Sequence, residues 1–121
     1  MAALSYRCCA LLMLGYPDAA LLDADTALKD ARDFGQAAGL MYALWPAGIV
    51  HLSCGNINAA AAFAQDLLAL AEEKRAFMWK VGGMILKGCV LAAMGKGTDA
   101  VQVLTSALEP WRSTGPQYLH P

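Results

Sequence analysis

The sequence predicts an all-α protein, a right-handed solenoid of three antiparallel helical hairpins. Two observations carry that prediction. Glycines stand at Gly15, Gly55 and Gly95, 40 residues apart, and fixed spacings of this size mark helical repeats. Around them, apolar residues recur at helical rather than strand spacing. Composition agrees: 58% of the 121 residues are hydrophobic, above the usual share of roughly 45–50%, and the dominant alanine and leucine both favour helix.

The repeat extends beyond the glycines. Five residues after each stand Ala20, Ala60 and Ala100, and thirteen after stand Leu28, Leu68 and Leu108. Eleven before stand Leu4, Leu44 and Met84; seven before stand the small residues Cys8, Gly48 and Gly88. Three after stand Asp18, Asn58 and Thr98, side chains that can cap a helix N-terminus. Each copy therefore reads as helix, glycine turn, helix.

In chain order, helices are expected at about 2–14, 18–33, 37–54, 58–74, 77–94 and 98–112, giving hairpins at about 2–33, 37–74 and 77–112. Residues 113–121 are expected to begin a truncated further repeat, and the whole chain, 1–121, to be one domain. The second helix of the first hairpin turns Ala20, Ala24, Ala27, Leu28 and Ala31 to one side. That of the second hairpin presents Ile57, Ala60, Ala61, Ala64, Leu67, Leu68 and Ala71, and that of the third Ala100, Val103, Leu104, Ala107, Leu108 and Trp111. Breaks are expected at Phe34-Gly35-Gln36, at Lys74-Arg75 and at Ser113-Thr114-Gly115. Pro46 is expected to bend its helix, because proline lacks the N–H donor and crowds the preceding turn. Small residues at matched positions suit closely crossing helices.

Leu14-Gly15-Tyr16-Pro17-Asp18-Ala19-Ala20, with Ala27-Leu28, resembles the turn and second helix of a tetratricopeptide repeat. Cys54 to Ala60 and Met94 to Ala100 resemble it more loosely, and the spacing exceeds the usual 34 or so residues. Over about residues 39–115, the runs Leu40-Met41-Tyr42-Ala43-Leu44-Trp45, Ala69-Leu70-Ala71-Glu72-Glu73-Lys74 and Ala107 through Gly115 resemble the C-terminal repeats of bacterial adenylate/guanylate cyclase-like proteins. Those proteins join a cyclase domain, an ATPase module and a repeat array. The resemblance implies a regulatory or partner-binding scaffold within a larger bacterial signalling protein. It implies no cyclase activity, since no catalytic residue of that family has a counterpart here.

Residues that suggest chemistry read more simply as structure. Gly95-Lys96-Gly97-Thr98 has Val90 where a phosphate-binding loop needs its first glycine, and a helix precedes it instead of a strand. His51 shares a helix face with Leu44, Gly48 and Cys54 and has no acidic partner three or four residues away. It reads as a structural or groove histidine. Glu72-Glu73-Lys74-Arg75 reads as a solvated helix end. Cys8, Cys9, Cys54 and Cys89 form no C-x-x-C pair and read as buried reduced thiols. No catalytic, cofactor-binding or metal-binding residue is expected, and no cofactor.

A net charge of −1 argues against nucleic acid as a partner. Residues 37–64 contain no Asp, Glu, Lys or Arg, so a small membrane-associated helical protein is the alternative reading. The turn at Cys54-Gly55-Asn56, together with Lys80 and Lys87 in the matched helix, favours buried inner helices instead. The residues before Leu14 lack the basic region of a signal peptide, so a cytoplasmic location is expected. Tyr42, Trp45, Phe77, Met78 and Trp79 either fill gaps between hairpins or line a concave groove, and Tyr42 and Trp79 are the residues assigned to a partner groove. Expected partners are a protein, a peptide or other domains of the same protein. The apolar terminal hairpins, with Leu11, Leu12, Leu108 and Trp111, suggest self-association.

Overall fold

A computed structural model describes the backbone of residues 2–119 and the side chains of residues 7–109. The expected inward positions Leu4 and Trp111, and the terminal His120, have side chains outside that range. The described residues form six helices: α1 (Ala2–Met13), α2 (Pro17–Phe34), α3 (Ala37–Ser53), α4 (Ile57–Glu73), α5 (Phe77–Ala93) and α6 (Gly97–Leu119). The all-α class is as the sequence predicts. Each helix packs on the next in the chain, and α3 also packs on α1 and α5. Among the described residues, α2, α4 and α6 do not pack on one another.

The turns share one backbone device. Left-handed φ occurs at Gly15, Gly35, Gly55, Arg75 and Gly95, one residue in every twenty. At Gly15 the amide reaches back to the Leu12 carbonyl (3.1 Å), and the Tyr16 amide reaches Leu11 (2.9 Å). The same pair of bonds closes α3 at Gly55 and Asn56, α4 at Arg75 and Ala76, and α5 at Gly95 and Lys96. This is the paired closure that satisfies the last carbonyls of a helix. The break at Lys74-Arg75 is therefore a tight turn of the same kind as those at the aligned glycines, whereas at Phe34-Gly35-Gln36 the left-handed Gly35 closes α2 with its amide on the Ala31 carbonyl (3.1 Å) instead.

Helix starts differ from expectation. Asp18, Asn58 and Thr98 are not caps; they are the second residues of their helices. The residue that closes one helix also opens the next, as the Ala20 amide donates to the Tyr16 carbonyl (2.9 Å) and the Ala60 amide to Asn56 (3.1 Å). That overlap moves each start upstream of the anticipated cap. In α2 it places Pro17 in the first turn, where its missing N–H costs nothing, and leaves Asp18 where a negative charge suits the helix dipole.

Helix α3 spans Ala37–Ser53 with Pro46 inside it, as the expected helix over about 37–54 does, and the Pro46 side chain is fully buried. One further difference concerns helix continuity. Helix α6 continues to Leu119, past the expected end near 112 and across Ser113-Thr114-Gly115. Serine, threonine and glycine each cost a helix no more than about 1 kcal/mol, so that triplet is a weaker stop signal than it looks.

The core is built of small side chains. Ala20, Ala24, Ala27, Leu28 and Ala31 of α2 are all buried, as are Ala60, Ala64, Leu67 and Ala71 of α4. In α6, Ala100 and Ala107 are buried, yet Leu108 is 46% exposed although Leu28, its match in α2, is only 3% exposed. The reason is the packing: α2 lies against α1 and α3, whereas α6 lies against α5 alone. Two of the aligned glycines fill tight crossings. A Cβ on Gly48 would overlap the end of Leu86, and one on Gly88 would lie 2.7 Å from Leu104 Cδ2.

Among the described residues, Arg75 is the one non-glycine residue in the left-handed region, at φ 53°. That conformation costs an ordinary residue about 1–2 kcal/mol. Arg75→Gly is therefore expected to stabilise the fold by about 1 kcal/mol, read as a higher urea midpoint. A lower midpoint would show that Arg75 contributes more through its side chain than its backbone costs.

Candidate functional site

Helix α3 presents Tyr42 and Trp45, one turn apart, and α5 presents Met78, Trp79, Val81, Gly82 and Ile85 opposite them. Together they line a groove of about 480 Å³ with no charged residue in its walls. Tyr42 and Trp79, the two residues assigned to a partner groove, meet edge to face with ring centroids 4.9 Å apart and planes at 72°. That geometry aligns the positive edge of one ring with the negative face of the other. Trp45 donates its indole N–H to the Gly82 carbonyl (3.1 Å). Gly82 makes this approach feasible, since an added Cβ would lie 3.2 Å from Trp45 Cδ1. The hydrogen bond fixes the indole as wall. Tyr42 and Met78 remain 42% and 62% exposed. The groove can take up apolar or aromatic groups; its lining supplies no acid, base or nucleophile beyond a phenol.

His51 is the buried polar residue of the fold's described part, 9% exposed. Its Nε2 lies 3.0 Å from Asp25 Oδ1 of α2, and its Nδ1 lies 3.2 Å from the Asn56 side-chain nitrogen. The Phe63 ring of α4 stands edge-on to the imidazole, centroids 5.2 Å apart. With the Asn56 amide donating to Nδ1, the proton of a neutral ring sits on Nε2 and is donated to Asp25. Both nitrogens are thus engaged, and the histidine ties α2 and the turn before α4 to α3. A search at three and four residues along the helix misses these partners. Asn56 is five residues on, brought over His51 because its own amide bonds the His51 carbonyl at 2.8 Å.

Other polar contacts are on the surface. Arg7 of α1 grips Asp23 of α2 at 2.6 Å, and Lys80 reaches Glu72 at 2.9 Å. Exposed pairs such as Lys80 and Glu72 contribute little, up to about 1 kcal/mol. None of the four cysteines is in a disulfide. Among the described residues no group of His, Cys, Asp or Glu is arranged to hold a metal ion, and no helix is long and apolar enough to cross a membrane.

No protein-family model matches this chain, and neither a curated protein nor a solved structure matches it.

Proposed function

We propose that the chain is a non-catalytic helical-repeat scaffold that holds an apolar segment of a partner protein, or of another domain of the same protein, in the groove of Tyr42 and Trp79. In this reading the six helices are three antiparallel hairpins of a right-handed, tetratricopeptide-like solenoid. The packing pattern supports it: α3 touches α1 and α5, while α2, α4 and α6 stay apart. An array curved with its odd-numbered helices inside and its even-numbered helices splayed outside has this pattern. The turns in register every twenty residues fit the same reading. The resemblance to cyclase-associated repeats makes a cytoplasmic bacterial signalling protein the setting we favour. Val101 and Leu108, 63% and 46% exposed on α6, offer a face for a further helix or for self-association.

The observation that carries the binding role is the uncharged aromatic groove with its exposed Met78. Partially exposed aromatic clusters of this kind concentrate binding energy. Peptides selected from a random displayed library against the intact chain are expected to be rich in aromatic and aliphatic residues. Met78→Lys, at an exposed position, should leave the thermal unfolding curve unchanged and weaken those peptides about tenfold or more. Trp79→Ala should cost about 2 kcal/mol of binding, the scale of a hot-spot residue. Selected peptides that bind Met78→Lys as tightly as the parent would place the binding surface elsewhere.

A further inference from the structure

A second cavity, of about 390 Å³, lies between α4 and α5 and shares no lining residue with the aromatic groove. Its apolar wall includes Ala61, Ala64, Val90 and Leu91, and Lys87 and Lys96 line it as well. None of its lining residues is acidic. Among the described residues neither lysine makes an ion pair.

Forty residues earlier, at the same distances from the preceding glycine turn, the chain carries different side chains. Leu21 stands for Ala61, Asp25 for Gln65, His51 for Leu91 and Asn56 for Lys96. There, between α2 and α3, His51 bonds Asp25 and Asn56, and Leu21 packs on the core. The protein's own side chains thus occupy that place. Between α4 and α5 the leucine has become alanine, the polar pair is gone, and a lysine stands at the turn. Removing a leucine side chain opens space, and two exposed lysines without an ion-pair partner at the rim of an apolar wall complement the charge of an anion whose body the wall can cover.

We propose that this cavity binds a small anionic amphiphile, a carboxylate with an aliphatic or aromatic body. The body lies against Ala61, Val90 and Leu91, and the carboxylate meets Lys87 and Lys96. The volume falls within the range of about 300–1,000 Å³ usual for ligand pockets. The site is independent of the peptide groove, so failure of either leaves the other standing.

Calorimetric titration of the intact chain with decanoate, below its micellar concentration, tests the proposal. Decanoate should bind saturably at one site, and acetate, which lacks the apolar body, should not. Decanol, which lacks the charge, should bind about tenfold more weakly or worse. The double variant Lys87→Glu/Lys96→Glu, at two exposed positions, should lose the decanoate site while keeping its melting curve. Ala61→Leu restores the residue found forty positions earlier and should block decanoate and decanol together. Non-saturable uptake, equal binding of decanol and decanoate, or undiminished binding by either variant would overturn the proposal.

Discussion

Leu86→Ala is expected to lower stability by about 2–5 kcal/mol, the range for deleting a buried leucine side chain. Leu86 is wholly buried in α5 and covers Gly48 of α3 so closely that a Cβ there would overlap its Cδ2. The same contact makes a second result predictable. Gly48→Ala alone should destabilise, because the gain of about 1 kcal/mol in helix propensity is outweighed by forcing Leu86 out of a packed rotamer. In the Leu86→Ala background the added methyl enters the vacated space, so Gly48→Ala should become neutral or stabilising. Urea denaturation of the two single variants and the double variant measures the coupling, expected at about 1–3 kcal/mol. Additive effects would mean that Leu86 swings aside freely and that α3 and α5 are not held at this distance by the glycine.

The parts of the fold that were legible in the sequence are the local ones. Helix spacing, glycine turns and the small matched residues at Gly48 and Gly88 all declare themselves within a few residues or one repeat length. The break at Lys74-Arg75 was legible, but its left-handed arginine was not, because propensity argues against that conformation for any residue with a Cβ. The anticipated caps were two residues late, since overlapping turn and helix-start hydrogen bonds leave no room for a separate cap. Asp25 and His51 were illegible as a pair: 26 residues separate them, and only the packing of α2 on α3 joins them. Tyr42 and Trp79 could be singled out as large aromatic side chains on the helices now seen as α3 and α5. The hydrogen bond from Trp45 that builds the wall between them depends on Gly82 approaching from α5, and no spacing rule announces it. The α4–α5 cavity is defined by what is missing at Ala61, and it becomes visible only beside the filled position at Leu21.

Cys8 should be the thiol least open to reagents. It is wholly buried, and its pKa is pushed from 9.0 up to about 12, first by burial and then by the neighbouring Cys9 and the nearby Asp23 carboxylate. Since the thiolate is the nucleophile, a shift of that size lowers the reactive fraction near pH 8 by about a thousandfold, before steric protection is counted. Brief iodoacetamide treatment of the native protein, mapped by mass spectrometry, should modify the half-buried Cys9, Cys54 and Cys89 first and Cys8 only after denaturant is added. The sign of the pH effect follows from the same shift. Below pH 9 both folded and unfolded chains keep this proton, and the thiol's contribution is complete. Above pH 9 the unfolded thiol ionises while the folded one stays neutral, so stability falls as pH rises toward about 12. Cys8→Ala keeps a small side chain at the position matched by Gly48 and Gly88, and removes the titrating group. The fall in urea midpoint between pH 9 and pH 11 should therefore be shallower in Cys8→Ala than in the parent. Equal slopes, or alkylation of Cys8 at the rate of Cys9, would mean that α1 opens readily and that the burial of Cys8 against α2 and α3 contributes little to the fold.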